Sequence, residues 1–151
     1  MNTRLSRDLV YLTQTQTTVG LLSNDWHKLS LIKNRPTEQK MLCEVDCFKT
    51  LLKHTRVPKQ FKKKVRKSKL TTFIYPNTTS FRVVDKNHKH YEFIRKFKTM
   101  YSTSANLTKK QFEKDWAIEK ADIIVEDQDG FSENQSSKIY KITNNRIKKI
   151  R

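Results

Sequence analysis

Ile32-Lys33-Asn34-Arg35-Pro36 and, further on, Tyr101-Ser102-Thr103-Ser104-Ala105-Asn106-Leu107 each place a pair of polar groups two residues apart. In the first stretch Trp26, Leu29 and Ile32 fall at helical spacing, and Pro36 must end that helix because proline lacks an N–H and clashes with the preceding turn. If the chain is extended there, Lys33 and Arg35 point to the same side. Two cations on one side can clamp a triphosphate, the arginine in bidentate fashion. The plain alternative is a solvated basic helix end. In the second stretch Ser104 and Asn106 share a side on the same terms, directly after a strand. They offer a hydroxyl and an amide to a carboxylate, ribose or phosphate, and the alternative there is a turn with helix-capping residues.

Strands and helices alternate outward from these two stretches. Leu9 to Leu12 reads as a buried strand, followed by a polar Thr/Gln loop, Thr13 to Gly20. Ligands of open α/β sheets bind beyond the carboxyl ends of strands, so hydroxyls in that loop could hold a small polar substrate. Ser23-Asn24-Asp25 supplies capping chemistry for the helix that ends at Pro36. Strands are expected at Met41 to Val45, Leu70 to Tyr75, Phe81 to Val84, Met100 to Thr103 and Ile123 to Val125. Helices are expected after Asp46 (Phe48, Leu51 and Leu52 on one face), after Pro58 (Phe61 and Val65 inward), around Tyr91, Ile94 and Phe97, and over Phe112 to Ala117. A hairpin closes the series, Ile139 to Ile142 and Ile147 to Ile150 around Asn144-Asn145. The pattern argues one α/β domain over residues 1–151, its sheet mostly parallel with antiparallel members.

Composition excludes several chemistries. Only two glycines occur, so no Gly-rich phosphate loop or dinucleotide fingerprint is present. Cys43 and Cys47 stand alone, without a second pair to complete a zinc set, and read as free thiols of a reducing cytoplasm. The N-terminal residues, with Arg4, Arg7 and Asp8, lack an apolar core for a leader. No run of about 18 apolar residues could cross a membrane. His88 and His90 read as an exposed basic pair without an acidic partner, and Trp26 and Trp116 as core residues.

The net charge is +17, from 32 Lys and Arg against 15 Asp and Glu. Eight basic residues and no acid lie between Arg56 and Lys69, while eight acids lie between Glu113 and Glu133. This asymmetry suggests a basic face that attracts a polyanion, nucleic acid or a nucleoside triphosphate. A generally basic composition, or a solvated helix face, is the simpler account.

Taken in order, the motifs resemble the YrdC-like family, which includes threonylcarbamoyl-AMP synthase. Gln14-Thr-Gln-Thr-Thr-Val-Gly-Leu21 is similar to the family's Pro-Thr-Asp-Thr-Val-Tyr-Gly-Leu. Its Lys-x-Arg-Pro stands at Lys33 to Pro36, and its Val-Arg-Val-Pro strand resembles Phe81 to Val84. Thr-Ser-Ala-Asn is whole at Thr103 to Asn106, and Ser-Thr-Ile with a late arginine resembles Ser137 to Ile139 with Arg151. The chain departs from the pattern at Gln14 for Pro, Val19 for Tyr, Lys67 to Thr71 for Pro-Gly-Pro-x-Thr, and Glu44 nearest the position of a His.

The resemblance implies a twisted open sheet of mixed strands with flanking helices, shared with RibB-like synthases, around a basic groove. It implies ligation of L-threonine, bicarbonate and ATP, with Mg2+ on the phosphates, into threonylcarbamoyl-AMP and pyrophosphate. A separate transferase then carries the group to tRNA. By the same resemblance Thr17, Arg82, Ser104 and Ser137 hold threonine. Lys33, Arg35, Asn106 and Arg151 hold ATP and the carboxylated intermediate, with Lys33, Arg35, Ser104 and Asn106 as the catalytic set and no protein-held metal. The family is also described as binding double-stranded RNA, so the alternative is a non-catalytic member that binds tRNA or duplex RNA by its shape and phosphates.

Overall fold

The computed structural model describes residues 6–107, 111–126 and 128–151. The first residues, 1–5, read above for a leader, lie outside them. The described residues form one nine-stranded sheet and five α-helices. The strands are β1 (Tyr11–Gln14), β2 (Val19–Ser23), β3 (Cys43–Val45), β4 (Thr71–Ile74), β5 (Ser80–Val83), β6 (Thr99–Ser104), β7 (Ile123–Ile124), β8 (Lys138–Ile142) and β9 (Ile147–Lys149). The helices are α1 (Trp26–Ile32), α2 (Phe48–His54), α3 (Lys62–Lys67), α4 (His90–Phe97) and α5 (Lys114–Lys120), with a short 3-10 turn, Lys59–Phe61, before α3. The strand order is β7-β1-β2-β6-β3-β5-β4-β8-β9.

The sheet is mixed, as expected, but it is not mostly parallel. Only β1–β7, β3–β5 and β4–β8 pair in parallel, and the other five pairings are antiparallel. The reason is local. Three pairs of neighbouring strands, β1–β2, β4–β5 and β8–β9, are joined by four- or five-residue turns, too short for a parallel crossover. The first of these turns also corrects the reading of Thr13 to Gly20 as a loop. Thr15 to Thr18 is the turn, and Gly20 lies inside β2, opposite Thr13 on one side and Ser104 on the other.

Side chains alternate across a strand, so the register sorts the core into two layers. On one face α1 and α5 pack Leu29 and Ala117 on Leu12, Val19 and Leu21. On the same face α2 and α3 pack Leu51 and Val65 on Cys43, Val45, Phe73 and Phe81. On the other face only α4 packs, setting Phe93, Ile94 and Phe97 against Tyr11, Leu22 and Met100. One helix cannot cover nine strands, and the part of that face beside α4 is where the polar residues lie.

Individual residues depart from the expected faces. Trp26 is 39% exposed, its ring edge-on to Tyr101 at 5.5 Å, and Leu52 is exposed. Trp116 does pack against the apolar cluster under α5. Cys47 is the N-cap of α2, and Asp46 before it accepts from the Thr50 hydroxyl at 2.5 Å.

Gly20 is the one position where the absence of a side chain shapes the site. A Cβ there would stand 3.0 Å from Leu22 Cδ1, 3.1 Å from Thr15 Cγ2 and 3.3 Å from the Thr103 carbonyl oxygen. Gly20→Ala therefore forces the Thr15 turn outward. It is expected to lose about 1–3 kcal/mol in urea unfolding, the ordinary cost of overpacking.

Candidate active site

The uncovered face reads across five strands by register. Gly20 on β2 lies opposite Ser104 on β6, Met100 of β6 opposite Glu44 on β3, Glu44 opposite Arg82 on β5, and Arg82 opposite Thr72 on β4. Period-two alternation thus lays Gly20, Ser102, Ser104, Glu44, Arg82 and Thr72 on one surface. The β1–β2 turn rises over its edge. There the Thr15 hydroxyl donates to the Thr18 carbonyl at 2.5 Å and accepts from the N–H groups of Thr17 and Thr18 at 3.2 and 3.3 Å. This serine/threonine-type turn fixes Thr17. A cavity of about 100 Å³ lies between them, and Thr17, Gly20, Arg82, Ser102 and Ser104 are among its lining residues.

Three of the four residues expected to hold threonine therefore meet in one cavity. The fourth, Ser137, is joined to them by hydrogen bonds. Its hydroxyl lies 2.9 Å from that of Thr72, which accepts from Arg82 Nη1 at 3.4 Å. Arg151 closes the chain of contacts, its Nε donating to the Ser137 carbonyl at 3.1 Å.

Lys33 behaves differently from a solvent-facing phosphate clamp. It is the C-cap of α1, with φ −84° and ψ 0°, and Asn34 follows at φ 54°, so Lys33 and Arg35 do not lie on an extended segment. The Lys33 side chain turns inward and the residue is only 3% exposed. Its ammonium donates to the Ser104 carbonyl at 2.9 Å, to Asn106 Oδ1 at 3.0 Å and to the Asn106 carbonyl. The Ser104 hydroxyl donates to Asn106 Oδ1 at 2.6 Å. Burial, and then the Arg35 guanidinium, push Lys33 down to about 8. The two quoted stretches of sequence are thus one unit, in which Lys33 braces Ser104 and Asn106 while half-buried Arg35 stands beside them.

Glu44 carries a feature that sequence reading missed. Burial alone would raise its carboxyl, yet it is held down to about 2 by His90 and Arg82. Oε1 accepts from Arg82 Nη2 at 2.7 Å, and Oε2 lies 2.5 Å from His90 Nε2. His90 is 3% exposed, so the reading of His88 and His90 as an exposed pair without an acidic partner is corrected. The signal was available: Glu44 sits between Cys43 and Val45 in a buried strand, and a buried carboxylate requires cations around it.

The Gln14 side chain fastens the loop before β8 over the Thr15 turn. Its Nε2 donates to the Ser132 carbonyl at 2.9 Å and its Oε1 accepts from the Ser132 N–H at 2.8 Å. Among the described residues, no group of three or more His, Cys, Asp or Glu side chains is placed to hold a metal ion. No helix among them is long and apolar enough to cross a membrane.

No family model matches the sequence, and no curated protein matches it. Solved structures do match. Sua5 of P. abyssi, complexed with L-threonine, is 15% identical with a TM-score of 0.75 over 95% of this chain and 50% of that one. YciO of E. coli is 16% identical, TM-score 0.73, over 95% of this chain and 82% of that one. Full-length HypF in its phosphate- and nucleotide-bound form is 13% identical, TM-score 0.71, over 95% of this chain and 26% of that one. The chain spans about half the length of the Sua5 chains it matches.

Proposed function

We propose, for a chain that carries the YrdC-like fold, that it condenses L-threonine, bicarbonate and ATP into threonylcarbamoyl-AMP with release of pyrophosphate. The observation that carries the reading is the convergence of Thr17, Arg82 and Ser104 on one small cavity, joined through Ser104 to the Lys33–Asn106 unit. Arg82 is 5% exposed and its Nε has no hydrogen-bond partner among the described residues. A buried N–H in that position suits a carboxylate oxygen.

In this reading Arg82 holds the amino-acid carboxylate, and Thr17 and Ser104 hold its polar groups. The amine joins carbon dioxide from bicarbonate, with loss of water, to give a carbamate. A carbamate oxygen attacks the α-phosphorus of ATP, the bond to the bridging oxygen breaks, and pyrophosphate leaves with that electron pair. The step needs no side-chain nucleophile, only fixed charge where the phosphoryl oxygens become more negative. Arg35 supplies it, with Asn106 and Arg151 toward the nucleotide. Mg2+ arrives with ATP on its phosphates. The product, made in the cytoplasm, passes to a separate tRNA transferase. The test is pyrophosphate release in the presence of all three substrates. Threonine-dependent release is expected, falling about 10²-fold or more in Arg82→Ala. A rate no higher than that of Arg35→Ala would sink the reading.

A second reading, an RNA-binding member without turnover, is favoured by the distribution of charge. Residues 47–84 and 134–151 hold 17 Lys and Arg and no acid, whereas the rest of the chain holds 15 of each sign. The first two segments comprise α2, α3, β4, β5, β8 and β9, so the net charge gathers at the β5-β4-β8-β9 end of the sheet. The logarithm of the affinity for tRNA is then expected to fall linearly with log salt, with a slope of roughly 0.7–0.9 per phosphate contact. Absence of binding at low salt rejects it.

A further inference from the structure

We infer that His90, acting through Glu44, is a positioning residue whose charge sets the anion affinity of Arg82, so that a carboxylate entering the cavity brings a proton onto His90. The inference rests on the reading that this cavity takes a carboxylate. It concerns a pair, Glu44 and His90, that lies outside the cavity lining.

The geometry makes three groups share one buried site. Glu44 is 1% exposed and uses its two oxygens separately, Oε1 for Arg82 and Oε2 for His90. With His90 neutral, its Nε2 proton is on the Glu44 side, and the Glu44 and Arg82 charges cancel. A ligand carboxylate placed on Arg82 would then leave a net negative charge in a buried polar cluster, which is strongly unfavourable. With His90 protonated the cluster is positive before the ligand arrives and neutral afterwards. Binding and protonation therefore favour each other.

His90 has a vacant proton site. Its Nδ1 is buried with no hydrogen-bond partner among the described residues. The residue also lines a second, larger cavity of about 610 Å³, which shares no lining residue with the ligand cavity.

The other charges facing His90 leave this balance to Glu44. From the β5–α4 connection, His88 Nδ1 accepts the His90 N–H at 3.1 Å, and burial with His90 itself pushes His88 below the usual imidazole range. Asp85 lies on the same connection, paired with Lys69. From α4 and its N-cap come Lys89, Glu92 and Lys96. Across the cavity stand Glu126 and Asp129, the latter paired with Lys89. β1 contributes only neutral Thr13 and Gln14 to that cavity. None of these hydrogen-bonds to the Glu44 carboxylate, which among the described side chains bonds to His90 and Arg82 alone, though His88 also senses its charge.

Ligand binding and protonation of His90 thus favour each other, and a bound carboxylate takes up a proton with it. The test is calorimetric titration of the whole chain with L-threonine and, separately, with sodium formate, each in two buffers of different ionisation enthalpy. Uptake of a fraction of a proton per ligand is expected, and its loss in His90→Gln, which keeps a donor toward Glu44. Imidazole NMR of the wild type, with only four histidines to assign, gives the same answer should that variant not fold. Binding without proton uptake, or uptake unchanged in His90→Gln, overturns the inference and leaves the proposed function standing. Formate binding with uptake while threonine does not bind does the reverse. Failure of both ligands to bind overturns both.

Discussion

Glu44→Ala is expected to destabilise the folded chain by about 3–5 kcal/mol, the usual cost of removing one partner from a buried ion pair. The alanine leaves the Arg82 guanidinium, at 5% exposure, with only the Thr72 hydroxyl at 3.4 Å in place of a carboxylate at 2.7 Å. It also leaves His90 Nε2 without its acceptor. Glu44→Gln keeps the shape and one acceptor, so it should lose less. Acid gives the same information from the wild type. The Glu44 carboxyl is held down from 4.5 to about 2, so its contribution is complete above the unfolded value. It is lost as pH falls through the folded one, between about 4.5 and 2. At 1.36 kcal/mol per unit that contribution is on the order of 3 kcal/mol. Urea unfolding at pH 7 and at pH 3 should show a larger drop for the wild type than for Glu44→Gln. Equal drops would mean that other carboxylates govern the acid limb.

Lys33→Met should cost the proposed activity about 10²–10³-fold, the range seen when one fixed donor is removed from a site of developing negative charge. The effect is indirect. The methionine fills the volume but leaves the Ser104 and Asn106 carbonyls without their shared donor, and the Ser104–Asn106 pair loses its brace. Stability falls too, by about 1–3 kcal/mol, so rates are compared at a temperature where both proteins are folded. Lys33→Arg should not rescue, because a planar guanidinium cannot reproduce a compact ammonium among these oxygens. Lys33 is pushed down to about 8, so above that pH it becomes neutral and donates less strongly. Turnover by the wild type is expected to decline as pH rises through about 8, and that limb should be missing in Lys33→Met. A decline of the same shape in both would assign it elsewhere.

What could be read from the residues and what could not divides along the reach of the pattern. Alternating apolar runs, capping residues and Pro36 mark most elements to within a few residues, because those signals are local. The order of the motifs pointed to the right fold for the same reason: each motif is a stretch of a few residues, at the turn after β1, the end of α1, along β5, at the end of β6 and at the start of β8. Three features escaped. Gly20 looked like the end of a loop because glycine usually breaks strands, but here neighbouring Leu22 and Thr15 occupy the space a side chain would need. Lys33 looked like a partner of Arg35 across an extended segment, but Asn34 in the left-handed region turns the backbone between them. His90 looked exposed because its partner, Glu44, lies 46 residues away and meets it only when β3 has taken its place beside β5 and β6. Pairings of that kind follow from strand order, which no local periodicity encodes.

That strand order has a consequence for how the chain is made. β4, at residues 71–74, has β5 on one side from the outset, but its other edge stays bare until β8, at residues 138–142, has been synthesised. For the whole interval the ribosome-borne chain displays an unpaired strand edge, the kind of surface on which other chains nucleate aggregates. The Lys and Arg residues that precede β4, from Arg56 to Lys69, are of the kind that guard such edges, since like charges keep neighbouring chains apart. Part of the positive charge would then be needed before the ligand cavity has formed.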